Sequence, residues 1–135
     1  MKLLIDTNVI LDVLCNRAEF MEDASKIFKL CEIKKVEGYI SALSIPNIVY
    51  IMRKELDSEM IKEILKTFSS IFTIVDLKAE DINKAANLDF KDYEDALQSV
   101  CAKRIKANYI VTRNIKDFSN SPITAIKPSE LLERI

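Results

Sequence analysis

The sequence of 135 residues contains no histidine and only one glycine, and both absences restrict its chemistry. Without histidine, the chain has no Ser-His or Cys-His nucleophile pair, no imidazole general base and no histidine-ligated zinc. Phosphate-binding loops of the Walker and dinucleotide types need several glycines, so a chain whose only glycine is Gly38 has neither. Carboxylate, amide and hydroxyl oxygens remain for chemistry, and these are the ligands that Mg²⁺ and Mn²⁺ prefer.

Excess charge and paired cysteines are also missing. The formal net charge is −1, so no global positive field indicates a nucleic acid or an acidic membrane as partner. Cys15, Cys31 and Cys101 have no C-x-x-C spacing and lie in apolar helical patterns, which indicates free buried thiols in a reducing cytoplasm. Polar residues interrupt the N-terminal apolar run and the uncharged stretch 38–52, so we expect no signal peptide and no membrane span.

Alternating strand and helix patterns predict a single α/β domain over residues 1–135. Short apolar or β-prone runs lie at residues 3–5, 39–41, 72–75, 109–111 and 123–126. Helical patterns occupy about 9–14, 21–35, 44–56, 58–68, 80–88, 92–105 and the residues from 129 onward, with Ser44 expected to cap the third helix. This alternation predicts a three-layer α/β/α architecture with a central parallel sheet.

Polar residues follow several of the predicted strands, at the edge where parallel sheets bind ligands. They are Asp6 after the first strand, Asn47 in the helix after the second, Asp92 and Asp95 at the start of a later helix, and Thr112, Asn114 and Asp117 after the fourth strand. Carboxylates that meet at one edge repel each other unless a divalent cation neutralises them. The pattern therefore predicts a metal site, at which a bound cation would activate water and neutralise charge on a phosphate.

These residues also have purely structural interpretations. Asp92 and Asp95 suit any helix N-terminus through capping and the helix dipole. Asp6 is harder to explain in this way, because an acid that closes an apolar strand has only a short helix to cap. Arg113 and Lys116 are the basic residues best placed to contact a phosphate backbone, although a solvated loop would also contain them.

Four segments resemble the PIN-domain ribonucleases. They are Asp6-Thr7-Asn8 after an apolar strand, Ile40-Ser41-Ala42-Leu43-Ser44 before a helix, Asp95-Ala96-Leu97 at the start of a later helix, and Val111-Thr112-Arg113-Asn114 with Asp117-Phe118. The resemblance spans nearly the whole chain and implies strand order 3-2-1-4-5 and Mg²⁺- or Mn²⁺-dependent cleavage of RNA phosphodiester bonds. For a small domain of the VapC toxin type, it also implies a cognate antitoxin protein and a homodimer.

The resemblance also implies roles for particular residues. Asp6, Asp95 and Asp117 correspond to metal-ligating acids, and Asp92 is an additional acid nearby. Asn47 stands where the family usually has a glutamate, and we place it with the catalytic residues; Asn114 stands at the usual fourth acid, for which Asp117 is a substitute. The residues expected to position the substrate are Asn8, Thr112, Arg113, Asn114 and Lys116.

Three functions are consistent with these residues. The leading hypothesis is a metal-dependent endoribonuclease that serves as the toxin of a toxin–antitoxin pair. The second is a PIN-fold module that binds RNA or protein without efficient hydrolysis, because the neutral oxygens of Asn47 and Asn114 hold divalent ions more weakly than carboxylates do. The third is a phosphotransfer enzyme with Asp6 as nucleophile, for which the haloacid-dehalogenase pattern would need an acid where Asn8 stands and the receiver-domain pattern is incomplete.

Overall fold

A five-stranded parallel sheet forms the centre of the computed structural model, which describes all residues from Met1 to Ile135. The strands are β1 (Lys2–Ile5), β2 (Glu37–Ser41), β3 (Thr73–Val75), β4 (Tyr109–Val111) and β5 (Ala125–Ile126). Their order is β3-β2-β1-β4-β5, with every neighbouring pair parallel, which confirms the predicted order. Because β1 is central, the residue that follows it lies between the ends of β2 and β4.

Seven α-helices connect and cover the strands. They are α1 (Thr7–Leu14), α2 (Met21–Glu32), α3 (Ser44–Met52), α4 (Ser58–Ile71), α5 (Ala79–Ala86), α6 (Tyr93–Arg104) and α7 (Pro128–Arg134), with a short 3-10 helix at Ile115–Phe118. Each corresponds to a predicted helical pattern, with ends displaced by a few residues. None of these helices combines the length and the apolar character needed to cross a membrane.

The N-terminus of α3 differs from its prediction. Ser44 is already the first helical residue, and Leu43, which precedes it, makes no side-chain cap. The hydroxyl of Ser44 instead accepts a hydrogen bond from Thr7 Oγ1 at 2.9 Å. The prediction that Ser44 caps the helix is wrong, because its side chain links α3 to α1 rather than bonding its own backbone.

Side chains of β1 alternate between the two faces of the sheet. Leu3 and Ile5 pack in the larger core cluster with residues of α1, α2, α3, α4 and α7, whereas Leu4 packs in a smaller cluster with residues of α6. All three are fully buried, and burial of each contributes about 1.5–3 kcal/mol. Helices on both faces confirm the three-layer architecture.

Helix α6 lies between the sheet on one side and α5 on the other. Seven consecutive residues, 96–102, are therefore buried. Polar side chains in this stretch need partners inside the protein, because water does not reach them.

The three cysteines are free thiols, as the sequence predicts. Cys31 and Cys101 are buried, and burial raises the pKa of each thiol to about 11, so neither is a reactive thiolate at neutral pH. Cys15 is only partly buried.

Gly38 lies in β2 beside Leu3 of β1 and allows α2 to pack closely on the sheet. A Cβ atom at this position would lie 2.6 Å from Cys31 Sγ and 2.8 Å from Phe72 Cδ1. Both distances are far below van der Waals contact, so the close approach requires a residue without a side chain.

We expect Gly38→Ala to lower the free energy of unfolding by about 1–3 kcal/mol, because the added methyl group overpacks the core. Urea denaturation followed by circular dichroism measures this change. Adding Cys31→Ala removes the nearest atom and should recover part of the loss relative to Cys31→Ala alone. A Gly38→Ala protein with the wild-type urea midpoint would contradict the packing argument.

Candidate functional site

Asp6 directly follows the central strand and caps α1. Its side chain is held by three hydrogen bonds, and the residue is only 6% exposed. Oδ1 accepts from Thr7 N at 2.8 Å and from Gln98 Nε2 at 2.7 Å, and Oδ2 accepts from Thr112 Oγ1 at 2.8 Å. These donors come from α1, α6 and the end of β4, so one carboxylate joins three elements.

The donors around Asp6 are all neutral. Burial raises the pKa of Asp6 above its ordinary value, while the hydrogen bonds from Gln98, Thr112 and Thr7 oppose the shift and the charge of Asp117 adds to it. The carboxylate is therefore well oriented but not charge-compensated, which is the condition under which a nearby cation binds favourably.

Asp95 occupies the first turn of α6 and shares the surroundings of Asp6. Burial raises the pKa of Asp95 to about 7, and the charges of Asp6, Asp92, Asp117 and Glu94 contribute in that order. Asp6, Asp95 and Asp117, which are far apart in the sequence, thus lie near enough for the charge of one to raise the pKa of another. Their mutual repulsion is of the kind that a divalent cation bound between them would relieve.

A cleft of about 540 Å³ opens beside these acids, and its lining includes Asp92, Asp95, Lys116 and Asp117. Asp117 is exposed in the 3-10 helix. Asp92 is the N-cap of α6, because its Oδ1 accepts from Glu94 N at 2.8 Å and from Asp95 N at 3.3 Å. The structural interpretation of Asp92 is therefore correct, and its role as a metal ligand stays a prediction.

The site suits a hard divalent cation in its chemistry. Nowhere in the chain do three or more His, Cys, Asp or Glu side chains gather closely enough to hold a metal ion together. The available donors are nevertheless carboxylate and amide oxygens, and Asn8 Oδ1 and Gln98 Oε1 are buried without a hydrogen-bond partner. Oxygen donors and unpaired buried acceptors fit Mg²⁺ or Mn²⁺, although the acids form an open rather than a closed cluster.

The residues predicted to position a substrate fall into two groups. Thr112 is fully buried, and its Oγ1 donates to Asp6 and accepts from Asn114 N at 3.1 Å. Asn8 lies in the first turn of α1 with its Oδ1 buried. Asn114 and Lys116 are exposed. Thr112 therefore belongs to the interior of the site, the amide oxygen of Asn8 is buried within α1, and Asn114 and Lys116 face solvent.

Arg113 is engaged inside the protein. Its Nε donates to Asp12 Oδ2 at 2.7 Å and its Nη2 to Asp12 Oδ1 at 3.2 Å, and its guanidinium lies 4.0 Å from the ring centroid of Phe20. This pairing holds the segment after β4 against α1. A contact between Arg113 and phosphate stays a prediction, and Lys116 is the cation of the two that is exposed and in no ion pair.

Two residues of the site escape prediction from the sequence. Gln98 contacts Asp6, and the signal for it is a polar residue inside the otherwise small and apolar stretch of α6. Glu94 is the second, because Asn47 Nδ2 donates to Glu94 Oε1 at 2.9 Å. Asn47 itself is exposed on α3 and reaches the acids only through this contact.

Fold and site together define an α/β protein with an acidic site at the carboxyl end of a central parallel strand. A family model described as the PIN domain matches residues 2–116. This chain belongs to the PIN domain family.

Individual relatives match over nearly the whole chain. Ribonuclease VapC1 of Aquifex aeolicus is 27% identical in an alignment that is 138 residues long. The alignment covers 98% of this chain and 94% of that protein. A solved structure of VapBC2 from Rickettsia felis, bound to a DNA fragment from their promoter, matches with a TM-score of 0.74 at 20% identity, over 94% of this chain and 98% of that one. DNA-bound VapBC from Salmonella typhimurium matches with a TM-score of 0.74 at 18% identity, over 95% and 98%. The two structures share the fold of this chain.

We expect Asp95→Asn to stabilise the cation-free protein at about pH 8. The pKa of this carboxyl is raised in the folded state, so its ionisation destabilises that state as pH rises from about 4 to about 7. The full shift corresponds to about 4 kcal/mol, and partial solvation reduces the expected gain to about 1–2 kcal/mol. Near pH 3 the variant and the wild type should unfold nearly alike, since this pH lies below the ordinary pKa of 3.8 and the carboxyl is then largely neutral in both states.

Urea denaturation at the two pH values measures this difference. Asp57→Asn is the matched control, because Asp57 caps α4 and asparagine caps equally well. An Asp95→Asn protein that is less stable than wild type at pH 8 would show that Asp95 is a stabilising helix-terminal residue.

Proposed function

We propose that this chain is a Mg²⁺- or Mn²⁺-dependent endoribonuclease that hydrolyses phosphodiester bonds in RNA. The observation that carries the proposal is Asp6, a buried carboxylate at the end of the central strand, held by neutral donors and surrounded by Asp95 and Asp117. Membership of the PIN domain family and similarity to ribonuclease VapC1 support it.

In this proposal, Asp6, Asp95 and Asp117 hold the cation, and Asp92 adds charge beside them. A Mg²⁺ or Mn²⁺ ion held by these residues would lower the pKa of a water and would neutralise charge on the phosphate. Thr112 keeps one oxygen of Asp6 oriented, so the carboxylate does not have to reorganise when the cation arrives.

The remaining polar residues contact or orient the substrate. Asn47 contacts the acids through its hydrogen bond to Glu94, and Asn8 supplies a buried amide oxygen from the first turn of α1. Lys116 at the rim of the cleft meets the RNA backbone, with Asn114 and Arg113 in the same segment. A positive side chain at the rim and acids at the centre suit a phosphodiester held against a cation.

The biological role that we propose is the toxin of a toxin–antitoxin pair, acting in the cytoplasm as a homodimer and inhibited by a cognate antitoxin protein. Its support is the similarity to ribonuclease VapC1 over nearly the full length of both chains. A solved toxin–antitoxin complex from Klebsiella pneumoniae also contains a chain of this fold.

We expect the purified protein to cleave RNA when Mn²⁺ or Mg²⁺ is added and to stop when EDTA removes the cation. Asp6→Asn should reduce cleavage on the order of 100-fold or more, since it removes the central negative charge while keeping the side-chain size. Gel analysis of labelled RNA measures the rate, and Asp57→Asn, prepared identically, controls for contaminating nuclease. Equal cleavage by Asp6→Asn and wild type would exclude this site as the source of activity.

A second function is favoured by one observation, namely that no three acids form a closed cluster. The chain would then be a PIN-fold module that binds RNA without efficient hydrolysis. In that case, Asn47→Glu combined with Asn114→Asp should raise cleavage strongly, whereas an already active site should gain little. The phosphotransfer hypothesis has no such support, since the family model that matches this chain is that of the PIN domain.

A further inference from the structure

We propose that Glu94 is a further cation-binding residue of this site and that Asn47 orients it. This inference deepens the proposed function and depends on it, because it assigns an additional carboxylate to the same cation. No pattern in the sequence singled out Glu94, and the structure assigns it through its contacts.

Glu94 is held from the α3 side by one hydrogen bond. Asn47 Nδ2 donates to Glu94 Oε1 at 2.9 Å, and no lysine or arginine pairs with the carboxylate. Its second oxygen, Oε2, has no side-chain partner in the structure. Glu94 is half-buried, one of its oxygens accepts from an amide, and no basic side chain pairs with it. Its other oxygen is therefore available to a ligand.

The position of Glu94 on α6 places it on the face that contacts Asp6. Glu94 and Gln98 are spaced i, i+4 and therefore share one side of the helix. Gln98 Nε2 donates to Asp6 Oδ1 at 2.7 Å, so this side of α6 faces the centre of the site.

A second observation points to a ligand at the same face. Gln98 is only 2% exposed, and its Oε1 has no hydrogen-bond partner. A buried acceptor without a donor is costly, on the order of 1–3 kcal/mol, unless a ligand or water meets it. Gln98 lies one helical turn from Glu94, on the helix face that Glu94 also occupies.

Glu94 also completes the arrangement of acids around Asp95. The cleft of about 540 Å³ is lined by Asp92, Asp95 and Asp117. A second cavity of about 730 Å³ is lined by Asn47 and by Glu94, the residue before Asp95 at the start of α6. Asn47 is neutral, so the negative charge on the α3 side of the site comes from Glu94.

The competing explanation is that Glu94 only favours the N-terminus of α6 through the helix dipole. Glu59 provides a matched control for this role. It is the second residue of α4 and follows the capping Asp57, as Glu94 is the second residue of α6 and follows the capping Asp92. A purely helix-terminal role predicts the same behaviour for both glutamates.

The test is calorimetric titration of the full chain with Mn²⁺ alone. We expect Glu94→Gln to weaken Mn²⁺ binding about 10-fold or more, and Glu59→Gln to leave it unchanged. The double variant Asn47→Glu with Glu94→Gln moves the carboxylate to the other partner of the same contact and should recover most of the lost affinity. Thermal unfolding without cation checks that each variant is folded.

The outcomes separate this inference from the proposed function. If Asp95→Asn loses Mn²⁺ binding while Glu94→Gln binds as wild type does, the cation site stands and the role of Glu94 is overturned. If wild type binds no Mn²⁺ and cleaves no RNA with it, the proposed function fails and this inference with it. RNA cleavage by Glu94→Gln, measured beside the titration, should fall together with the affinity.

Discussion

Three hydrogen bonds to the buried carboxylate of Asp6 determine how the functional edge of this protein is assembled. Thr7 N, Gln98 Nε2 and Thr112 Oγ1 donate from α1, from α6 and from the end of β4. Hydrogen bonds to a charged group contribute about 1.5–3 kcal/mol each, which is comparable in sum to the penalty of several kcal/mol for burying the carboxylate. Because the donors are neutral, they fix the geometry of Asp6 and leave its charge to attract a cation.

The same geometry destabilises the folded state at the first turn of α6. Asp95 lies where burial and four neighbouring acids all disfavour its ionised form. A cation that binds only the folded state would offset the free-energy cost of ionising Asp95 and would stabilise the fold by RT ln(1 + [cation]/Kd). In the proposed function, folding and cation binding are therefore coupled through these acids, while the apolar core holds the rest of the chain together.

Much of the fold is predictable because it follows from local patterns. The short apolar strands and the helical periodicity between them predict a parallel sheet, and the strand order follows from the family resemblance. Asp6 is found by its position after β1, since a carboxylate directly after a buried strand lies at the ligand-binding edge. Apart from the strand order, these inferences need only the spacing of apolar and polar residues along the chain.

The contacts that finish the site depend on pairs that are distant in sequence. Gln98 reaches Asp6 across 92 positions, and Arg113 reaches Asp12 across 101. Ser44 looks like a helix cap in sequence but bonds Thr7 of another helix. In the sequence, Glu94 is like any acid near a helix N-terminus, and only its hydrogen bond from Asn47 distinguishes it. No local pattern encodes these partners, because they meet only when the sheet has formed.

The pairing of Arg113 with Asp12 has a consequence for how the protein responds to ionic strength. Asp12 is fully buried, and the ring of Phe20 lies against the guanidinium of Arg113, so mobile counterions have little access to this ion pair. Lys116, three residues further along, is exposed to them. Added salt should consequently weaken attraction to a polyanion at the rim while leaving the backbone around Thr112 anchored. Salt should therefore weaken the binding of a polyanion at Lys116 more than it alters the position of Thr112, although both residues lie in one short segment of the chain.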